Sequence, residues 1–481
     1  MRTAALITPL LVGIVGCTVS ADLAGKSCPC APGWTCDEAS GACVVGSSSG
    51  DASPDGDGDV DADADADTDV DTDVDADVDT TFTDDSAATF GSGSFVGTRV
   101  DSDAVELQPG VSVGEFLSRV FDAHEEVTWT TLRWTPRAPY EKPLPDDGAA
   151  ETGYAEGDVD MDSTILLLHF ELSRPLGDGE RTTDASGLGN NPIVLSAGTP
   201  LRTADGRVDL AAADRRDTYL SIPLSSTDDF EFGTDDFTWA LWINTIEDCT
   251  ERNRVYMGVE GDTSDTPHLW LGCTSSDGTH CPPGDIGGRA GGTFHSTRNP
   301  ADGTGFCGLT TINDGRWHHI VLVKSGHEAS TISLYVDGEL DTEETPSFTA
   351  PIAFPSDPDF GIGGFTDWTY PALGLIDEVA IWRRALSEDE VRAVYLRGAL
   401  RLRLQVRACD APDCSDAPVF VGPDGSQETF FVDRRSPAGS TIEHDLPPLT
   451  GRYIQYRAML ASDASGETPT LEAVTIAGVS E

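Results

Sequence analysis

The chain has 481 residues, long enough for two or three domains, and sets 30 lysines and arginines against 83 aspartates and glutamates, a formal net charge of −53. That balance repels phosphate and argues against a nucleic-acid partner, while it suits a strongly solvated surface that attracts divalent cations. With 50 glycines, 29 prolines and little helical periodicity, the composition points to a mostly β chain.

One arginine precedes an apolar run from Ala4 to Val15. The run is too short to cross a bilayer as a permanent helix, so residues 1–17 predict an export signal. Ile14-Val15-Gly16-Cys17 resembles a bacterial lipobox. The resemblance implies cleavage before Cys17 and lipidation of its thiol, which would anchor an exported lipoprotein to a bacterial membrane, at the outer membrane or the cell surface. An ordinary signal peptide with an incidental cysteine is the alternative. The cysteine count agrees with the lipobox. Of eleven cysteines, those other than Cys17 fall in three even clusters: Cys28, Cys30, Cys36 and Cys43; Cys249, Cys273, Cys281 and Cys307; Cys409 and Cys414. An exported chain meets an oxidising compartment, which predicts disulfides. The spacings lack the paired C-x2-C of a zinc ribbon. Each cluster of four leaves its pairing open.

Residues 18–46 are too few for a core of their own and predict a small knot stapled by disulfides. Residues 47–86 follow with an aspartate-rich repeat: 16 aspartates and no base lie between 51 and 85. Self-repulsion without apolar side chains predicts a disordered, extended linker, spanning at most about 120 Å. The D-x-D-x-D pattern occurs in calcium loops, but the fixed turn glycine and terminal bidentate glutamate of such loops are missing. From 87 to 140 the composition becomes globular, with two strand-like runs around a polar turn at 115–136. Residues 137–160 are rich in Pro and Gly and read as a junction. Strand patterns then recur at 163–172, 237–245 and from 374 onwards. Ser387 and Glu390 form a capping box ahead of Val391 and Val394, predicting one short helix. Strands resume at 399–410 and 451–462 and close with 470–478.

Several pieces match a known pattern in order: "TTDASGLGNN" at 182–191, "TYLSIP" at 218–223, "FTWALWINT" at 237–245, "DGRWHHIVLV" with "ISLYVDGEL" at 314–340, and "FGIGG" with "GLIDEVAIWRRALSEDEV" at 360–391. On these residues the stretch 165–395 resembles the concanavalin A-like lectin/glucanase superfamily, specifically its laminin G-like, pentraxin-like jelly rolls. The flanks resemble two halves of one small β-sandwich of bacterial exported proteins, and neither half has enough strands for two packed sheets. The fold class expected is therefore all-β: a laminin G-like β-sandwich jelly roll at 160–397, inserted in or flanked by a second, smaller β-sandwich at 87–140 and 398–481. Separate modules in series are the alternative.

The adjacent His318 and His319 invite a metal or catalytic reading. On a strand, however, alternate residues share a face, so the two rings point opposite ways and Trp317, His319, Val321 and Val323 oppose His318, Ile320 and Leu322. The family resemblance implies a structural calcium held by Asp184, Asn190 and Asp377, with Glu378 a weaker option; hard oxygen ligands suit that ion. A plain turn cap by Asp184 and Asn190 is the alternative. Related glucanases carry a three-carboxylate strand for a retaining mechanism, and "ELDTE" offers Glu339, Asp341 and Glu343, but directly after a turn. The cysteine-pinned loops between 249 and 307 hold few aromatics, Trp270, Phe294 and Phe306; Trp368 and Tyr370 offer another face. Catalytic triads and phosphate loops are missing from the sequence. The expectation is a non-enzymatic, cell-surface lipoprotein, held in the membrane by its N-terminal lipid, whose lectin-like jelly roll binds carbohydrate or another surface ligand. An envelope scaffold that binds only proteins, and more weakly a glycosidase, are the alternatives.

Overall fold

Alternation of apolar side chains decides how the larger sandwich closes. Along Phe237–Asn244, Phe237, Trp239, Leu241 and Ile243 enter the core, while Ala240 and Trp242 face outward. The neighbouring strand Trp317–Ser325 sends Ile320 and Leu322 inward and Val321 and Val323 outward. The computed structural model describes strand backbone at Trp34–Asp37 and Ala42–Val45, then residues 79–480 except 215–216, 261–266, 277–280, 282–286, 297–302, 328–329, 347–350, 353–358, 368, 417 and 434–440. The export signal with Cys17, the cysteines Cys28 and Cys30, most of the linker and Trp368 lie outside the described residues.

The chain divides into two units, Met1–Val74 and Asp75–Glu481. In the first, Trp34–Asp37 and Ala42–Val45 pair antiparallel, with Cys36 opposite Cys43.

The second unit holds the jelly roll. Its seven-stranded sheet runs Ile193–Ser196, Thr218–Ile222, Phe360–Ile362, Arg254–Glu260, His268–Thr274, Arg289–His295, Thr304–Thr311. Its eight-stranded sheet runs Arg202–Asp205, Leu210–Asp214, Gly374–Trp382, Phe237–Asn244, Trp317–Ser325, Thr331–Val336, Glu339–Glu344, with Thr164–Leu168 also on Gly374–Trp382. Aromatic rings fill the space between them: Phe232 lies 4.5 Å from Phe237, and Trp239 meets Phe360 edge-on at 5.2 Å. The helix Glu388–Ala399 covers the outer face of the eight-stranded sheet. Ser387 and Glu390 cap it reciprocally, and Val391 and Val394 pack over Val321, Val323 and Trp382 beside Leu144, Val159 and Met161 of the junction.

The remaining strands form one nine-stranded sheet around a second core. Phe121–Pro136 pairs with Ile442–Ser462 on one side and Leu471–Val479 on the other, so segments before and after the jelly roll share this sheet. One part of the expected linker differs. Asp79–Asp84 is a strand on Leu471–Val479, followed by the short helix Ala87–Phe90. Its β-branched threonines favour strand, Phe82 packs 4.9 Å from Phe121, and the buried Asp84 accepts from Arg119 and from the Tyr456 hydroxyl at 2.9 Å. These contacts outweigh the charge that the residues share with the repeat before them.

The two sandwiches meet at Trp242, which stacks on Tyr395 at 5.6 Å and joins the core of the second sandwich. Three disulfides are closed among the described residues: Cys249–Cys273, Cys281–Cys307 and Cys409–Cys414.

Candidate functional site

The strand Gly374–Trp382 breaks register against Phe237–Asn244 between Ala240 and Trp242, and at that irregularity Glu378 takes a φ of +45°. Such bulges re-aim side chains and cluster near functional sites. Here the bulge buries Asp377 completely and turns its carboxylate onto a neighbouring loop. Asp377 Oδ2 accepts the backbone N–H groups of Arg207 at 2.7 Å and Val208 at 3.0 Å. The turn from 205 to 209 is therefore held from below by one carboxylate. Gly206 permits that approach, since a Cβ there would lie 2.7 Å from Asp377 Oδ2. Arg207 ties the same turn to the second sandwich: Nε donates to the Gly398 carbonyl at 2.7 Å and Nη1 to Asp463 at 2.6 Å, with the guanidinium 4.8 Å from the Trp242 ring.

The opposite wall comes from the second sandwich. Gln405 donates to the Gln427 carbonyl at 3.0 Å and to that of Thr429, Asp424 accepts the Ser426 N–H at 2.8 Å, and Phe431 pairs with Leu404. Between the walls lies a cleft of about 590 Å³, lined by Asp205, Asp209, Arg403, Glu428, Thr429, Phe430 and His444. Arg403 pairs with Glu141 and lies 5.6 Å over the Phe430 ring. His444 stacks on Trp134 at 5.2 Å, and burial holds its pKa below the usual imidazole range. Behind the cleft, burial pushes Glu171 up to about 7, with Glu378 and Asp209 adding to the rise against His169. His169 itself bridges Glu378 at 2.7 Å and Asp146 at 3.1 Å. With Glu141 matched by Arg403, the edge is rich in carboxylates (Asp205, Asp209, Glu428) and carries the ring of Phe430. Such a lining takes hydroxyl or ammonium donors and rejects anions.

The residues named from sequence lie elsewhere or do other work. Asp184 Oδ1 accepts from the N–H groups of Leu167 and Ser186 at 3.0 Å each, and Oδ2 from Asn190 N–H and the Ser186 hydroxyl at 2.8 Å each. Asn190 donates to the Ile165 carbonyl and to Asp229. Asp184 and Asn190 are thus one turn, and Asp377 is held by a separate set of donors. Hydrogen-bond donors surround the carboxylate oxygens of Asp184 and Asp377, the opposite of a cation shell, so the three residues do not fit one calcium ion. Among the described residues, no three His, Cys, Asp or Glu side chains gather to hold a metal. His318 bonds Asp337 at 2.8 Å and Asp314 at 3.1 Å, while His319 is buried against Trp242 and Tyr395. Glu339 pairs with Arg392, Asp341 accepts from Leu309 and Thr310, and Glu343 accepts from Ser333. Trp270, Phe294 and Phe306 are 3%, 0% and 2% exposed, too buried to serve as sugar platforms. The cleft itself was missed by sequence reasoning, because its walls are some two hundred residues apart; the Asp-Gly turn at 205–206 was the one local signal.

Residues 214–392 match a family model described as the concanavalin A-like lectin/glucanases superfamily, in its laminin G branch. The larger sandwich is a concanavalin A-like jelly roll. The match covers less than half of the chain and leaves the second sandwich outside. No curated protein matches. Among solved structures, domain 4 of AbnA, a GH43 extracellular arabinanase from Geobacillus stearothermophilus, in complex with arabinotriose, is 16% identical over 48% of this chain and 98% of that one, with a TM-score of 0.34. The binding domain of botulinum neurotoxin serotype D is 14% identical over 52% of this chain and 54% of that one, with a TM-score of 0.36. The binding domain of Paraclostridial Mosquitocidal Protein 1 is 13% identical over 59% and 70%, with a TM-score of 0.32. The chain spans about half the length of the neurotoxin binding domain.

Proposed function

We propose that this chain is a non-enzymatic, exported surface lipoprotein that binds a carbohydrate in the cleft between its two sandwiches. The observation that carries the reading is the cleft: two braced walls, an edge of carboxylate acceptors and the ring of Phe430, a chemistry suited to sugar hydroxyls and a sugar face. The lectin/glucanase fold of the jelly roll supports that ligand class, as an analogy of fold. Export and lipidation at Cys17 are supported by the lipobox-like stretch and by the closed disulfides. In this reading the jelly roll sits within the second sandwich, and the acidic repeat tethers both to the membrane.

A glycan array probed with the folded chain, with calcium and again with EDTA, tests the reading. The expected result is saturable binding to one glycan class that Asp205→Asn and Glu428→Gln weaken. Binding lost in EDTA would return calcium to the account, at residues other than the trio Asp184, Asn190 and Asp377. Hydrolysis of the bound glycan would replace the non-enzymatic reading, and binding only to basic proteins would replace the carbohydrate one. Labelling with a fatty acid that persists in Cys17→Ser would contradict lipidation there.

A further inference from the structure

Lys142, in the junction between the sandwiches, is 5% exposed, and three other side chains close around its amine. Its Nζ lies 2.7 Å from the Tyr154 hydroxyl, 3.1 Å from Glu151 Oε1 and 3.5 Å from Asp433 Oδ2. The Tyr154 hydroxyl donates in turn to Asp433 Oδ2. Glu151 and Asp433 are 6% and 3% exposed. Arg397, also buried, grips Glu151 with both ends of its guanidinium and donates to the carbonyls of Lys142 and Pro143 at 2.7 and 2.8 Å. Lys142 and Asp433 lie beside each other out of water, so an ion pair between them forfeits its hydration. The amine nitrogen lies 3.5 Å from an oxygen of the Asp433 carboxyl group and away from water, so the two groups are already brought together for condensation.

We propose that Lys142 and Asp433 join in an intramolecular amide, Nζ to Cγ, with loss of one water. Glu151 accepts a proton from the Lys142 ammonium and passes it to the Asp433 carboxylate, leaving a neutral amine facing a carboxylic acid. The amine lone pair attacks Cγ. The Tyr154 hydroxyl, already on Oδ2, stabilises the oxygen that takes up the electron pair. The C–O bond to the other oxygen then breaks, and that oxygen leaves as water with its own proton and one more from nitrogen, again through Glu151. Two charges vanish, no oxidant is needed, and one hydrogen remains on the amide nitrogen. Burial would raise Glu151, but Arg397 and Lys142 outweigh it and hold the carboxyl below its usual range, so Glu151 stands as a carboxylate beside the amine. The bond closes a loop that contains the whole jelly roll, and a cross-link over so long a loop restrains the unfolded chain strongly.

Mass spectrometry of the full chain, reduced and digested with trypsin, tests the bond. Lys142 and Arg174 each precede proline, so cleavage frees the peptides 138–181 and 408–434. The expected product is one linked species, lighter than the sum of the two peptides by one water. Recovery of both peptides separately, at their unmodified masses, from folded protein would overturn the proposal without any variant. In Glu151→Gln that folds, the linked species should be lost; its undiminished presence would contradict the proton relay assigned to Glu151. Lys142→Arg should give separate peptides and a lower melting temperature.

Discussion

His319 and His169 answer pH in opposite senses. Burial, with Arg207 adding, lowers His319 to about 3, while the unfolded imidazole titrates near 6.5. The unfolded chain therefore holds the proton more tightly, and the stability due to a neutral His319 is lost as pH falls from 6.5 towards 3. His319→Phe keeps a ring against Trp242 and Tyr395 and should flatten the acid limb of a melting-temperature profile. Burial alone would lower His169 too, but Glu378 and Asp146 outweigh it and raise it to about 10. Its stabilisation is complete below 6.5 and is lost as pH rises through about 10, so His169→Gln should lose less stability than the wild type across that alkaline window. The opposed faces of His318 and His319 were legible, since a strand alternates. The stack under His319 was not, because Tyr395 belongs to a helix far along the chain.

At the scale of elements, the helix Glu388–Ala399 was the most legible piece, since its start is written in four residues, Ser387 to Glu390. Ser387→Ala should cost about 1 kcal/mol of stability, read as a fall in melting temperature with an unchanged fold. The strand Asp79–Asp84 was hidden, because it begins on the last aspartate of the acidic repeat and Phe82 is its one large apolar side chain. The turn 205–209 shows a subtler limit. Its Asp-Gly pair was passed over in the sequence, and nothing there said that Asp377 would anchor it. In Asp377→Ala the N–H groups of Arg207 and Val208 lose their acceptor, and ligand binding at the cleft should fall while the jelly roll stays folded; a titration beside a circular dichroism spectrum separates the two.

At the scale of the molecule, the all-β class and the jelly roll were legible from ordered motifs spread over some two hundred residues. The shortage of strands in each flank pointed to a shared sandwich. The pairing itself was not legible: Trp134 meets Ile442 and Val474 only because the intervening domain returns the chain to the same edge. With Trp242 packed into the core of the second sandwich and Arg207 bonded to Asp463, the two sandwiches share contacts, and calorimetry should find them unfolding in one transition; two well-separated peaks would contradict this coupling. The same shared burial braces the cleft. The most direct test of the account is a calorimetric titration of the glycan selected on the array into the wild type and into Phe430→Ala. Loss of the Phe430 ring from the cleft should weaken binding at least about tenfold, with the fold intact. An unchanged affinity in folded Phe430→Ala would show that the glycan binds elsewhere and that the cleft is not the binding site.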